Sequence, residues 1–294
     1  RVLFAENTGV VIQAHGEAEA MLSQRGIDFH KIGKPLPTPE LVVALNDKTL
    51  QLDVAHLRDI WYKTSYLLDI RQSGEKNAKA RYENYKLQPL RYNFPEGFTG
   101  KKPVFPDNQR PKAAIIREKG SNSERELANA LYLAGFDVKD IHMTDLVSGR
   151  ENLEDVRFIG AVGGFSNSDV LGSAKGWAGA FKYNEKARTA LENFFKRPDT
   201  LSIGICNGCQ LFVELGLVYP EHEQHPKMLH NDSHKHESVF TSIALQENDT
   251  VMFSSLAGAV LGVWVSHGEG KFYLPYAEDR YKIVGKYGYD AYPA

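Results

Sequence analysis

Apolar residues gather into short runs in the second half of the chain and are more scattered in the first. Ala113-Ala114-Ile115-Ile116, Phe136 to Met143, Phe158-Ile159-Gly160-Ala161-Val162 and Leu201 to Ile205 have strand length and predict four strands. Between them the spacing changes to three and four. Leu127, Ala130, Leu131 and Ala134 predict a helix that Gly135 ends, opened by a capping-box pattern at Ser121-x-x-Glu124. Trp177, Ala180, Phe181, Ala187, Leu191, Phe194 and Phe195 predict one long helix reaching Pro198. Gln210 to Leu217 continues from the fourth strand as a packed helix. Alternating strands and helices imply an α/β fold, a flavodoxin-like, doubly wound, mostly parallel sheet.

The first part follows a different plan. Leu3 to Glu6, Gly9 to Gln13 and Gly26 to Gly33 read as strand-like, Ala18 to Arg25 as a helix, and Pro35, Pro37 and Pro39 as a break. Leu41 to Leu45 and Thr49 to Leu52 flank Asn46-Asp47-Lys48 and predict a hairpin. His56 to Leu68 is an amphipathic helix with Leu57, Ile60, Trp61, Ser65 and Leu68 on one face. Residues 88–111 carry Pro89, Pro95, Gly97, Gly100, Pro103 and Pro106 without a sustained period and read as a linker. The expected division is residues 1–87, an α+β remnant of a larger domain, then the linker, then a domain over residues 112–294. With Arg1 at its start and Pro293-Ala294 at its end, the chain is expected to be cut at both ends.

Composition narrows the function. A net charge of −2 leaves no electrostatic footprint for nucleic acid, and no stretch approaches a membrane span or has a signal-peptide layout. A cytoplasmic protein is expected. Two cysteines three positions apart exclude a disulfide framework and fit a reducing compartment.

The candidate chemistry sits where the fourth strand turns into a helix. In Gly204-Ile205-Cys206-Asn207-Gly208 a glycine on each side of the cysteine permits the tight turn of a nucleophile elbow, here with a thiol. A sulfur at a helix N-terminus gains thiolate character, and the Asn207 amide is placed to donate to an oxyanion. Gly163-Gly164-Phe165-Ser166 closes the third strand, and both segments fall at carboxyl strand ends, where such sheets bind ligands. A buried structural cysteine, a simple tight turn at Gly163-Gly164, and a redox or metal half-site at Cys206-x-x-Cys209 are the competing readings.

Four motifs in order carry a resemblance: Gly163 to Gly172, Lys175-Gly176-Trp177-Ala178, Gly204 to Gln210, and Val265-Ser266-His267-Gly268-Glu269-Gly270. Residues 112–294 resemble the glutaminase domain of the phosphoribosylformylglycinamidine synthases, purine-biosynthetic amidotransferases of the class I glutaminase group. Residues 1 to about 85 resemble the end of the synthetase portion. The resemblance implies that Cys206 attacks the side-chain amide of glutamine, giving a thioester and ammonia, and that water then releases glutamate. It further implies oxyanion amides at Gly164 and Asn207, with Gly163 beside them. Gln210 would hold the substrate, and Phe165, Ser266, His267, Gly268 and Glu269 would border its pocket. No metal or cofactor is implied for this stretch. ATP and magnesium belong to the synthetase portion, which is the implied partner and uses the ammonia to amidate formylglycinamide ribonucleotide.

His267 and Glu269 have the spacing of a base and its orienting carboxylate. The family places its triad histidine and glutamate in a later Pro-His-Pro-Glu-like segment that this sequence lacks, so little or no turnover is expected. The alternatives are a non-catalytic glutamine-binding module and an unrelated cysteine hydrolase using His267 as base. His222, His225, His230, His234 and His236 lack regular ligand spacing and are expected near the pocket rather than on a metal. Trp264 and the aromatics from Tyr276 to Tyr292 are expected to be core or domain-packing residues.

Overall fold

The computed structural model describes residues 8–87, 90–101, 104–106, 109–288 and 292. The chain divides into two compact units, one ending at Ser65 and one beginning at Tyr66. The expected strand at Leu3 to Glu6 lies outside the described residues.

In the first unit α1 covers Glu17–Gln24, and β1 (Glu40–Leu45) pairs antiparallel with β2 (Lys48–Asp53). Asn46 takes a φ of 55° in the turn, a conformation that asparagine tolerates. Residues 9–13 and 26–33 form no strand, contrary to the sequence pattern. Val10, Val11 and Ile12 stay exposed, because a strand-like run without a ladder partner has nothing to order it.

The amphipathic helix is longer than its periodicity predicts. α2 runs from Val54 to Asn84, starting where Asp53 accepts a hydrogen bond from the His56 amide (2.8 Å). It breaks at Gly74, whose φ of 79° and ψ of 158° are non-helical. The rings of Tyr66 and Tyr82, 16 positions apart, stack at 4.7 Å, so the two arms from Tyr66 onward double back on each other.

The second unit holds the expected sheet. β3 (Lys112–Arg117), β5 (Asp137–His142), β6 (Phe158–Ala161) and β8 (Leu201–Gly204) lie in the order β5-β3-β6-β8, all parallel. β4 (Ser121–Asn122) pairs with β7 (Gly163–Gly164) above it. Ala113, Ala114, Ile115 and Ile116 are all buried although successive side chains face opposite ways, so both faces of the sheet are covered. The covering helices are α3 (Glu124–Leu133), α4 (Met143–Ser148), α5 (Lys175–Tyr183), α6 (Glu185–Lys196) and α7 (Asn207–Glu214). They contribute Leu127, Leu131, Leu146, Trp177, Phe181, Leu191, Phe194 and Leu211 to the core.

Two helix expectations are corrected. The capping box at Ser121 does not form: Ser121 is spent on the β4–β7 ladder and its hydroxyl donates to the Glu118 carbonyl (2.7 Å). The residue ahead of α3 is Ser123, in a left-handed conformation without a side-chain cap. The single helix expected up to Pro198 is two. Asn184 adopts extended backbone and its side chain caps the Ala187 amide at 3.0 Å, which ends α5 and starts α6.

Beyond the sheet, β10 (Glu237–Leu245) pairs antiparallel with β11 (Val260–His267) and with β13 (Gly285–Tyr287), and β9 (Lys227–Leu229) pairs with β12 (Lys271–Tyr273). Within the expected linker, Asn93 exchanges two backbone hydrogen bonds with Val260. Trp264 is 72% exposed and so is not a core residue, while its ring still meets Phe240. Among the described residues, no helix is long and apolar enough to cross a membrane.

Candidate functional site

The turn from β8 into α7 is as tight as its glycines suggest. A Cβ on Gly204 would lie 2.6 Å from the Gly208 carbonyl oxygen, and one on Gly208 would lie 2.1 Å from the Ala161 carbonyl oxygen. No larger residue fits either position without moving backbone. Between them Cys206 is held at φ 53°, ψ −109°, a combination L-residues seldom adopt. That geometry lifts the side chain out of the sheet: Cys206 is exposed, whereas Cys209, one turn on, is partly covered, and burial and the neighbouring Cys206 push its thiol up. Both thiols are free.

Gly163 and Gly164 form the adjoining wall. A Cβ on Gly163 would touch Cys206 Cβ at 3.3 Å, and Gly164 has a φ of 108°, with its missing side chain directed at the β4 backbone. The Phe165 amide donates to the Gly120 carbonyl (3.0 Å), so it is unavailable as an oxyanion donor. The Asn207 amide occupies the first turn of α7, where no helix carbonyl precedes it.

The Asn207 side chain is fully buried and ties three segments together. Its Oδ1 accepts from the Ser166 amide (3.1 Å), and its Nδ2 donates to Gln210 Oε1 (3.0 Å) and Asp169 Oδ1 (3.3 Å). Gln210 passes the link on, its Nε2 donating to the Glu269 carbonyl at 2.8 Å. Asp169 ends a run of three left-handed residues, Asn167, Ser168 and Asp169, that carries the loop back under the cavity.

Ser266, His267, Gly268 and Glu269 leave the end of β11 opposite the elbow. The Cys206 thiol donates to the Ser266 carbonyl at 3.7 Å, and this is its hydrogen bond among the described residues; no imidazole nitrogen meets it. His267 and Glu269 do not pair. Asn231 Nδ2 donates to the carbonyls of His267 (2.6 Å) and Lys235 (3.1 Å), which fixes its amide so that Oδ1 faces His267 Nδ1 at 2.8 Å. That nitrogen therefore carries the proton. Burial, reinforced by charge on His236, pushes His267 below its ordinary value. Glu269 points elsewhere: Oε2 accepts from the Ser173 amide (3.3 Å), and Oε1 lies 3.6 Å from His230 Nδ1.

Together these elements enclose a cavity of about 340 Å³, lined by Gly164, Phe165, Cys206, Gln210, Ser266, His267, Gly268 and Glu269 and also by Asp169, Ser173, His230, His234, Lys235 and His236. A second hollow of about 290 Å³ adjoins it and shares Ser173, Gln210, His230 and Glu269. The lining thus brings together most of the residues singled out from sequence, with Gly163 and Asn207 directly behind it. Asp169, Asn231 and Ser173 were not singled out; polar residues in irregular segments give no periodic signal. The histidine-rich segment divides. His230, His234 and His236 reach the cavity, while His222 packs among the rings of Tyr219, Tyr276 and Tyr281. Among the described residues, no group of three or more His, Cys, Asp or Glu side chains is arranged to hold a metal ion.

A cysteine on a strained strand-to-helix elbow, at the carboxyl end of a parallel sheet and opening into a cavity edged by polar side chains, defines the class of cysteine-dependent acyl-transfer sites. The model of the CobB/CobQ-like glutamine amidotransferase domain matches residues 110–287, and the chain belongs to that family. It is 37% identical over 292 residues to the probable phosphoribosylformylglycinamidine synthase, chloroplastic/mitochondrial, of Arabidopsis thaliana, covering 93% of this chain and 20% of that protein. It is 38% identical over 300 residues to the Homo sapiens phosphoribosylformylglycinamidine synthase, covering 92% and 22%. The chain therefore spans about a fifth of the length of these curated relatives. Among solved structures, PurLQS from Thermotoga maritima aligns with a TM-score of 0.50 and 24% identity over 62% of this chain and 76% of that one, a likeness of fold.

Proposed function

We propose that this glutamine amidotransferase domain is the glutamine-hydrolysing part of a phosphoribosylformylglycinamidine synthase. The observation that carries the reading is the Cys206 elbow, where steric closure at Gly204 and Gly208 presents the one exposed thiol to a cavity edged by polar side chains. In this reading Cys206 Sγ attacks the side-chain amide carbon (Cδ) of glutamine and the amides of Gly164 and Asn207 receive the oxyanion. Loss of ammonia leaves a thioester, and water releases glutamate. Gln210, held by Asn207 and the Glu269 carbonyl, and the Ser266-to-Glu269 segment shape the pocket. Residues 1–87 then form the end of a synthetase portion, 88–111 a linker and 112–294 the glutaminase domain. The synthetase portion, with ATP and magnesium, would use the ammonia to amidate formylglycinamide ribonucleotide in purine biosynthesis. A cytoplasmic setting suits the two free cysteines.

His267 is a pocket residue in this account and not the base, because among the described residues Cys206 Sγ meets the Ser266 carbonyl and no imidazole nitrogen. The chain alone should therefore form an adduct at Cys206 yet release glutamate slowly. Incubation with 6-diazo-5-oxo-L-norleucine should alkylate Cys206 and leave Cys209 unmodified by mass spectrometry, and Cys206→Ala should abolish labelling. Equal labelling of both cysteines would overturn the assignment, and rapid glutamate release abolished by His267→Asn would make His267 the base.

A further inference from the structure

A buried charge cluster lies outside the pocket, on the doubled-back arms of α2. Arg81 bridges Asp69 on the opposite arm and Glu237 at the start of β10. Asp69 also accepts from Ser73 Oγ (2.7 Å) and from Lys235. The Tyr292 hydroxyl, pushed up to about 12 by burial and by the Glu237 carboxylate it serves, joins Arg81 and Glu237. Asp69 and Glu237 are each less than a tenth exposed. Asn77 adds a bond to the Asp232 carbonyl at 3.4 Å.

The loop side of this cluster is the back of the cavity wall. Lys235 lines the cavity, and its carbonyl receives Asn231 Nδ2, whose amide fixes His267; Glu237 stands opposite His267 in the β10–β11 register. Two buried carboxylates are costly to leave unpaired, and their partners here are the part-covered Arg81 and Lys235, so the cluster favours one placement of its loop over others. We propose that Asp69 and Arg81 are positioning residues: the arms of α2 after Ser65 clasp residues 231–237 from behind and hold Asn231, Lys235 and His267 in place around Cys206. The inference rests on the glutamine pocket proposed above for its catalytic consequence, and on the ion pairs alone for its mechanical part.

The test compares the chain with Asp69→Asn and Arg81→Met. Amide hydrogen exchange should become at least about tenfold faster over residues 231–237 and 266–269 and stay unchanged over the four-stranded sheet. Glutamine should protect Cys206 from iodoacetamide in the unmodified chain, and Asp69→Asn should require about tenfold more glutamine for the same protection, with the unprotected alkylation rate unchanged. Asp69→Asn and Asn231→Ala should be non-additive in that protection. If Asp69→Asn does not fold, Glu237→Gln, which keeps the Asp69–Lys235 pair, serves in its place. Unchanged exchange, or faster exchange with unchanged protection, overturns the positioning role. Absence of glutamine protection in the unmodified chain overturns the proposed function instead, and exchange then decides the clasp by itself.

Discussion

At the scale of single residues, the site depends on atoms that are missing. Gly208 has no room for a methyl group because the Ala161 carbonyl oxygen occupies its place. Gly208→Ala must push α7 away from β6, at a cost of about 2 to 3 kcal/mol typical of overpacking. The expected result is a lower urea midpoint together with loss of selective alkylation at Cys206; a substitution that leaves both unchanged would mean the elbow is looser than its geometry indicates. The Gly-x-Cys-x-Gly spacing was legible because Gly204 meets the Gly208 carbonyl within the motif itself, whereas the Ala161 contact was not. The roles of Asn207 and Gln210 were legible only in part. Their hydrogen bonds reach Ser166, Asp169 and Glu269, from 38 to 59 positions away, and no local pattern encodes those pairings.

At the scale of elements, periodicity gave the four strands of the parallel sheet and misjudged where helices begin and end. The apolar spacing from Trp177 to Phe195 continues across Asn184 because α5 and α6 bury against the same core. The break itself is made by one residue whose side chain caps the second helix. Asn184→Ala should lower stability by about 1 kcal/mol, read as a shift in urea midpoint. The capping-box pattern at Ser121 failed for the opposite reason: a two-residue ladder with β7 claimed the backbone that a helix start would have used. Apolar residues at 9–13 and 26–33 promised strands that found no partner. A strand is a pairing and not a property of one segment.

For the whole molecule, pH sensitivity should report the wall around the nucleophile. Because burial holds His267 below 6.5, the unfolded chain takes up a proton just below that pH before the native chain does. The stability contributed by the neutral imidazole is therefore complete above pH 6.5 and is lost as pH falls through the depressed native value. Denaturation midpoints measured across that window should fall, and His267→Asn should flatten the fall. A second loss belongs further down. Burial would raise Asp69, but Lys235, Ser73 and Arg81 outweigh it and hold the carboxyl below 3.8, so its contribution is kept above 3.8 and lost as pH drops through the native value.

Local causes along the chain set the four strands of the parallel sheet and the elbow with its exposed thiol. These rest on short-range causes: runs of apolar residues, glycine where no side chain fits, and a helix beginning one residue after the cysteine. The tertiary structure alone decided what surrounds that thiol. It separated His267 from Glu269 by giving the one to Asn231 and the other to Ser173 and His230. It turned a histidine-rich stretch into a cavity wall, and it set buried ion pairs from α2 behind that wall. Hydrogen bonds and ion pairs between distant segments depend on where the backbone has been carried, and only the packed fold carries it there.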